Sequence, residues 1–428
     1  MEIETYIASK NLHTLFQPIV SLKRKSILGF EALSRGREPS SGHTLGYEKL
    51  HEIASFENTI VQLDRACRYN ALHSWKSYYK KHPESLLFLN FDVTLLNNGV
   101  NGSGFFLEMV KSAGIPPENI VIELVERQVQ QYEELLSFVE TYRKKGFLFA
   151  IDDFGEAASN IERLFMIQPE VIKISRTLFH APMYSETYGK SVLEGLVNLI
   201  ASLGSLPLLE GVETVPQLYN ALDCGIDVIQ GFLISHPMAE LSDGQLLKTK
   251  ETLRMVSEIS GKYRSQCIQL AKAKSNYLIN EAKHMAMIVE MECVELDTDV
   301  LLHNLLAIDE QIECLYILSE TGVQISETHF RPGLKIKNAL FKPAKCGDDH
   351  SEKDYFLYIK AGSAHYFSSP YISQATGSYC STISIVLTQG PLAGHILCID
   401  FATPTPVFRR SSIEYPPDFS KKVDLKCL

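Results

Sequence analysis

Six oxygen-bearing side chains and one lysine stand at intervals along the first half of the chain: Glu31, Asn90, Glu123, Asp152, Asp153 and Glu210, with Lys173 among them. Oxygen donors in that number suit two hard divalent cations. Magnesium takes such ligands at about 2.0–2.1 Å, and two ions about 3.5–4 Å apart that clamp a phosphate share one carboxylate. Neither His nor Cys belongs to the set, which disfavours zinc and favours magnesium or manganese. Lys173 could hold or deprotonate an attacking water, and Arg35 could grip a phosphate oxygen. Taken one at a time, each has an ordinary explanation: Asp152-Asp153-Phe154-Gly155 as a helix cap, Glu210-Gly211-Val212-Glu213 as a turn, Arg35 as the solvated end of Glu31-Ala32-Leu33-Ser34-Arg35.

The elements around these residues remove that freedom. Up to about Pro237, short runs rich in Val, Ile and Phe alternate with amphipathic segments of helical length, the pattern of repeated β-α units. The runs are Leu15–Val20, Ile27–Leu33, Leu86–Phe91, Ile120–Leu124, Phe147–Ile151, Val171–Ile174, Leu206–Leu209 and Val228–Ile234. The first two are too close for a parallel crossover and read as an antiparallel hairpin. Helices are expected over Ile60–Lys80, Gln131–Lys145 and Ser185–Leu203, the last stopped by Gly204. Eight strands in about 240 residues point to an α/β fold, a (β/α)8 barrel with an antiparallel first strand, or else to an open doubly wound sheet. The polar residues choose the barrel, because Glu31, Asn90, Glu123, Asp152 with Asp153, Lys173, Glu210 and Gln230 each sit near the end of, or just after, a different strand, and only a closed ring aims so many at one point.

The set Phe16-Gln17-Pro18-Ile19-Val20, Glu31-Ala32-Leu33-Ser34-Arg35, Asn90, Glu123-Leu124-Val125-Glu126, Asp152-Asp153-Phe154-Gly155, Ile172-Lys173-Ile174, Glu210-Gly211-Val212-Glu213-Thr214 and Gln230-Gly231-Phe232 resembles the EAL family of bacterial cyclic di-GMP phosphodiesterases. The resemblance implies hydrolysis of cyclic di-GMP to linear pGpG with two divalent cations, Mg2+ or Mn2+. It implies a first metal held by Glu31, Asn90, Glu123 and Asp152, and a second by Asp152, Asp153 and Glu210. Lys173 matches the lysine that orients or activates water, Gln230 a glutamine beside it, and Gln17, Leu33 and Arg35 positions that bind the ligand. Glu126 and Glu213 match supporting acids. The chain departs from the family pattern at Glu156-Ala157-Ala158-Ser159-Asn160, where a glycine is missing, and at Ser175, where an aspartate is usual. The alternative reading is therefore a weakly active or inactive cyclic di-GMP receptor that signals to a protein partner.

With 428 residues, 45% of them hydrophobic, the chain can bury more than one core. A net charge of −10 excludes long nucleic acids as partners and leaves room for a small, metal-bridged anion. Without a membrane span or a leader pattern, and with nine cysteines that form no Cys-x-x-Cys pair, a cytoplasmic protein with reduced thiols is expected. Three segments follow from the texture: a barrel over 1–240, a helical linker over 241–296, and a smaller α+β domain over 297–428. The linker's apolar seam over Asp243–Val289 shifts phase near Leu278, as in one long helix or two. Strands are expected at Cys314–Leu318, Val323–Ser326, Tyr379–Thr388 and Gly394–Phe401, with helices at Val300–Leu306 and Glu352–Lys360. The stretch Tyr366-Phe367-Ser368-Ser369-Pro370-Tyr371-Ile372-Ser373 resembles PAS-like or Cache-like sensor domains. That implies a regulatory or dimerisation module, with Tyr366, Tyr371 and Tyr379 as candidates to line a small-molecule pocket. A homodimer is expected, with contacts near Asp153–Asn160 and in the C-terminal domain.

Overall fold

The computed structural model describes residues 3–8, 11–38, 41–98, 104–125, 132–155, 161–177 and 186–402. They form two compact units, Met1–Arg264 and Ser265–Leu428.

The first unit is a closed barrel. Strands β1 (Leu12–Ser21) and β2 (Ser26–Arg37) make the expected antiparallel hairpin, and the two-residue β3 (Thr44–Leu45) extends the edge of β2. Then come β4 (Leu86–Phe91), β5 (Ile120–Val125), β6 (Leu148–Phe154), β7 (Val171–Ile174), β8 (Leu206–Leu209) and β9 (Val228–Ile229). The ring runs β1-β9-β8-β7-β6-β5-β4-β2 and shuts through the β1–β2 pairing. Helices Ile60–Tyr79, Tyr132–Arg143 and Glu186–Ser202 lie within two residues of their expected ends.

Strand geometry explains why the polar residues meet. Ile19, Phe88, Val121, Ala150, Val171, Leu208 and Val228, one from each of seven strands, pack together as an apolar layer. Side chains alternate across a strand, so the next residue on the same face lies two positions further on. From those seven residues, that step reaches Gln17 on the reversed β1, then Asn90, Glu123, Asp152, Lys173, Glu210 and Gln230. The apolar layer is the floor, and the polar set is the storey above it.

The eighth strand is shorter than its apolar run. Val228–Ile234 narrows to Val228–Ile229 because Gln230 donates its N–H to Leu209 O and accepts from Val212 N–H. Gly231 takes φ +157, where a Cβ would lie 2.2 Å from Val212 O. The chain then turns, with the Ile234 and Ser235 N–H groups both donating to Gly231 O.

The second unit is built on an antiparallel sheet of β10 (Ile312–Leu318), β11 (His329–Phe330), β12 (His365–Phe367), β13 (Tyr371–Ile372), β14 (Tyr379–Val386) and β15 (Ile396–Ala402), ordered β11-β10-β15-β14-β12 with β13 on β14. Val323–Ser326 is not a strand: Val323 and Gln324 make single bridges, to Asp349 and Leu318, and β10 pairs with β11 on one side and β15 on the other. Helix Thr298–Leu305 starts at Asp297, whose carboxylate accepts from the N–H groups of Asp299 and Val300.

A single helix, Asp243–Glu292, spans the division between the units. In the first unit its Tyr263 stacks on Tyr219 at 4.1 Å and donates to Asp223 at 2.7 Å. In the second, Leu278, Ala282, Met285, Ala286 and Val289 join the core under the sheet. The seam shifts phase because the two halves face different cores. All eight cysteines among the described residues are unpaired. No helix among them is long and apolar enough to cross a membrane.

Candidate metal-dependent active site

Lys173 is the hub of the rim. Fully buried, its Nζ lies 2.7 Å from Glu210, 2.8 Å from Glu123, 2.9 Å from Asp152 and 3.4 Å from Glu31. Four acids against one cation leave a surplus of negative charge in a dry place. The protons respond. Burial pushes the carboxyls of Glu123 and Asp152 up, and that of Glu210 to about 8, against the pull of Lys173. In Glu31 burial is outweighed by Lys173 and by hydrogen bonds from Gln230 and Asn90, so that group is held below its ordinary value. Burial would strip the lysine of its proton, but its acids hold the proton on more tightly than usual.

Two sets of oxygens lie close enough to hold a cation each: Glu31, Glu123 and Asp152 in one, Asp152, Asp153 and Glu210 in the other, with ligand atoms in each set within 4.8 Å of one another. Asp152 belongs to both. Neighbouring residues of a regular strand point to opposite faces, so Asp152 and Asp153 would not normally share a site. A register break between Ile151 and Phe154 against β7, with Asp153 at φ +52, brings both carboxylates to the rim.

The residues present fit two hard cations. Every donor is an oxygen, one carboxylate is shared, and Glu123 Oε2 is buried without accepting a hydrogen bond. Asn90, 3.3 Å from Glu31 Oε1 through its Nδ2, adds an amide beside the first set. Gln230 donates to Glu31 Oε2 at 2.6 Å and to Gln17 Oε1 at 3.1 Å, while its own Oε1 is buried without a partner.

A cavity of about 240 Å3 opens beside this cluster, lined by Gln17, Glu31, Asp153, Ser175, Arg176, Glu210, Gly211, Glu213, Gln230, Gly231 and Phe232. Leu33 and Arg35 are not among its lining residues. Arg35 is half-buried and donates to the carbonyl of Ser34 at 2.9 Å. Glu126 and the segment 156–160 lie outside the described residues. Arg176 is a lining residue that the motifs did not single out; the only signal for it was its place directly beyond Lys173-Ile174-Ser175.

The profile of the EAL domain matches residues 2–237, more than half of the chain. The chain belongs to the EAL domain family. Among relatives, the EAL-domain protein YkuI of Bacillus subtilis is 23% identical over 380 residues, covering 86% of this chain and 90% of YkuI. PdeN of Escherichia coli, named a probable cyclic di-GMP phosphodiesterase, is 26% identical over 240 residues, which span 55% of this chain and 45% of PdeN. The crystal structure of YkuI, in complex with cyclic di-GMP and calcium, superposes with a TM-score of 0.76 at 20% identity over 94% of this chain and 98% of that one. At that identity the likeness shows a shared fold across both units, EAL barrel and C-terminal sheet alike.

Proposed function

We propose that the EAL barrel hydrolyses one phosphodiester bond of cyclic di-GMP to give linear pGpG, using two divalent cations, Mg2+ or Mn2+. The observation that carries this reading is the pair of carboxylate sets joined through Asp152. Two cations bound there would polarise the phosphate and lower the pKa of the attacking water. In this reading Glu31, Asn90, Glu123 and Asp152 serve one ion, and Asp152, Asp153 and Glu210 the other.

Lys173, within 3.4 Å of four carboxylates, serves as a fixed donor that orients water and the acids around it. Gln230 donates to both Gln17 and Glu31, and so holds Glu31 in one orientation. Glu213 takes its place at the cavity through an ion pair with Arg176 at 3.1 Å.

The C-terminal unit is proposed to be a PAS-like or Cache-like sensor or dimerisation module in a cytoplasmic homodimer. Of its three candidate tyrosines, Tyr371 bonds to Thr382 at 2.6 Å and Tyr366 stacks on Tyr358 at 4.1 Å, which is packing within the unit.

Purified protein incubated with cyclic di-GMP and either metal, with products resolved by chromatography, tests the assignment. Metal-dependent appearance of pGpG supports hydrolysis. Binding in calcium without turnover in magnesium or manganese overturns it in favour of a receptor.

A further inference from the structure

The cavity is short of positive charge. Its lining carries four acids, Glu31, Asp153, Glu210 and Glu213, and a single cation, Arg176; Lys173 lies beneath, committed to four carboxylates. A ligand with two phosphodiesters needs more cation than this floor can offer. Cations bound by the carboxylates would serve the phosphate above them, and the other phosphate needs a separate partner.

Arg176 is built for that part. It stands on the loop after β7, and its Nη1 meets Glu213 Oε1, on the loop after β8, at 3.1 Å. Glu213 is itself anchored, because its N–H donates to Gln217 Oε1 at 2.7 Å in the capping box that opens helix Val215–Asp223. The stem of Arg176 lies across Gly211, at φ +63, where a Cβ would come within 2.7 Å of Arg176 Cδ and 2.9 Å of its Cβ. Gly211 is thus the slot that lets the arginine cross from one loop to the next. The side chain remains 60% exposed, and among the described residues one ion pair holds the guanidinium, leaving donors for a further acceptor.

We propose that Arg176 binds the phosphate of cyclic di-GMP that is not being cleaved, with Glu213 and Gly211 holding the guanidinium in position. The inference rests on the reading of the barrel as a cyclic di-GMP site. A planar fork anchored at one end loses little entropy when it grips a phosphate, so the contact contributes to affinity for the dinucleotide and nothing to a substrate with one phosphate.

The test compares wild-type protein with Arg176→Ala and Arg176→Lys, by calorimetry with cyclic di-GMP in calcium and by kinetics in manganese. The second substrate is bis(p-nitrophenyl) phosphate, which has a single phosphate. For Arg176→Ala the expected result is a rise of about tenfold or more in Kd and KM for cyclic di-GMP, several times larger than the loss of kcat/KM on the small diester. Arg176→Lys should recover part of the affinity. Unchanged affinity for cyclic di-GMP overturns the proposal, and so does an equal loss on both substrates, which would mark a structural role. If wild-type protein binds but does not hydrolyse the dinucleotide, the phosphodiesterase reading fails while the calorimetry still decides on Arg176. If wild-type protein does not bind it at all, both fall.

Discussion

The EAL barrel rim and the C-terminal sheet both bury acids, by opposite means. At the rim, four carboxylates surround Lys173, and Glu123 Oε2 accepts no hydrogen bond. On the sheet, Asp400 is a buried acid flanked in register by Cys314 on β10 and Thr382 on β14. Thr382 Oγ1 donates to one of its oxygens at 2.7 Å and Cys314 Sγ to the other at 3.3 Å, and no cation pairs with it among the described residues. Burial pushes its carboxyl up to about 6. The rim crowds its carboxylates around one cation and leaves oxygens for incoming metals, whereas the sheet satisfies a single acid with two uncharged donors. Crowded, underpaired oxygens mark a site; a lone acid whose oxygens are both satisfied is part of a core.

Removing a shared ligand should break the rim most completely. Asp152→Ala is expected to cut hydrolysis about a thousandfold, since several kcal/mol of charge stabilisation disappear with the metal geometry, while the melting temperature in chelator holds or rises as repulsion is relieved. Activity at more than a tenth of wild type would place the metals elsewhere.

Removing the cation should do the reverse to stability. Lys173→Met leaves four acids without their counter-charge, and in EDTA the barrel should lose about 3 kcal/mol, partly restored by Mn2+. A variant that unfolds like wild type in EDTA would show that the acids simply bind protons once the lysine is gone.

The sheet offers the matching pH test. Because the folded-state pKa of Asp400 is raised, its contribution is fully present below the unfolded value near 3.8 and is lost as pH rises through about 6. Wild-type protein should therefore lose stability across that window relative to Asp400→Asn, by up to about 3 kcal/mol. The comparison is made by denaturant unfolding in saturating Mn2+, so that the rim acids stay occupied. Parallel curves for the two proteins would mean that Asp400 is ionised in the fold.

The smallest effect is expected at Ser175, where the family usually has an aspartate. Ser175 is buried at the cavity, and Lys173 already has four acids, so Ser175→Asp should change kcat by less than about threefold. A tenfold gain would show that the lysine is poorly held despite them.

Alternation and composition make the storeyed rim legible in the sequence. An apolar run ending in Asn90, Glu123, Asp152 or Lys173 names both the strand and the residue that tops it, because a period of two allows only one face to look inward. The same logic failed at Val228–Ile234, where apolar residues continue past the strand into a turn that Gly231 and the Val212 backbone impose.

What the sequence by itself determined is the chemistry and the ring: which residues carry oxygen, which runs are strands, and that acids stand at successive strand ends. Those are local properties, set by residue type and spacing. Only the tertiary structure decided that Asp153 joins Asp152 through a register break, that Arg35 turns to its own backbone, that Arg176 reaches Glu213 across Gly211, and that burial raises the carboxyl of Asp400. Each depends on pairing, burial or close approach between segments distant along the chain, and no spacing within one segment encodes a neighbour supplied by another.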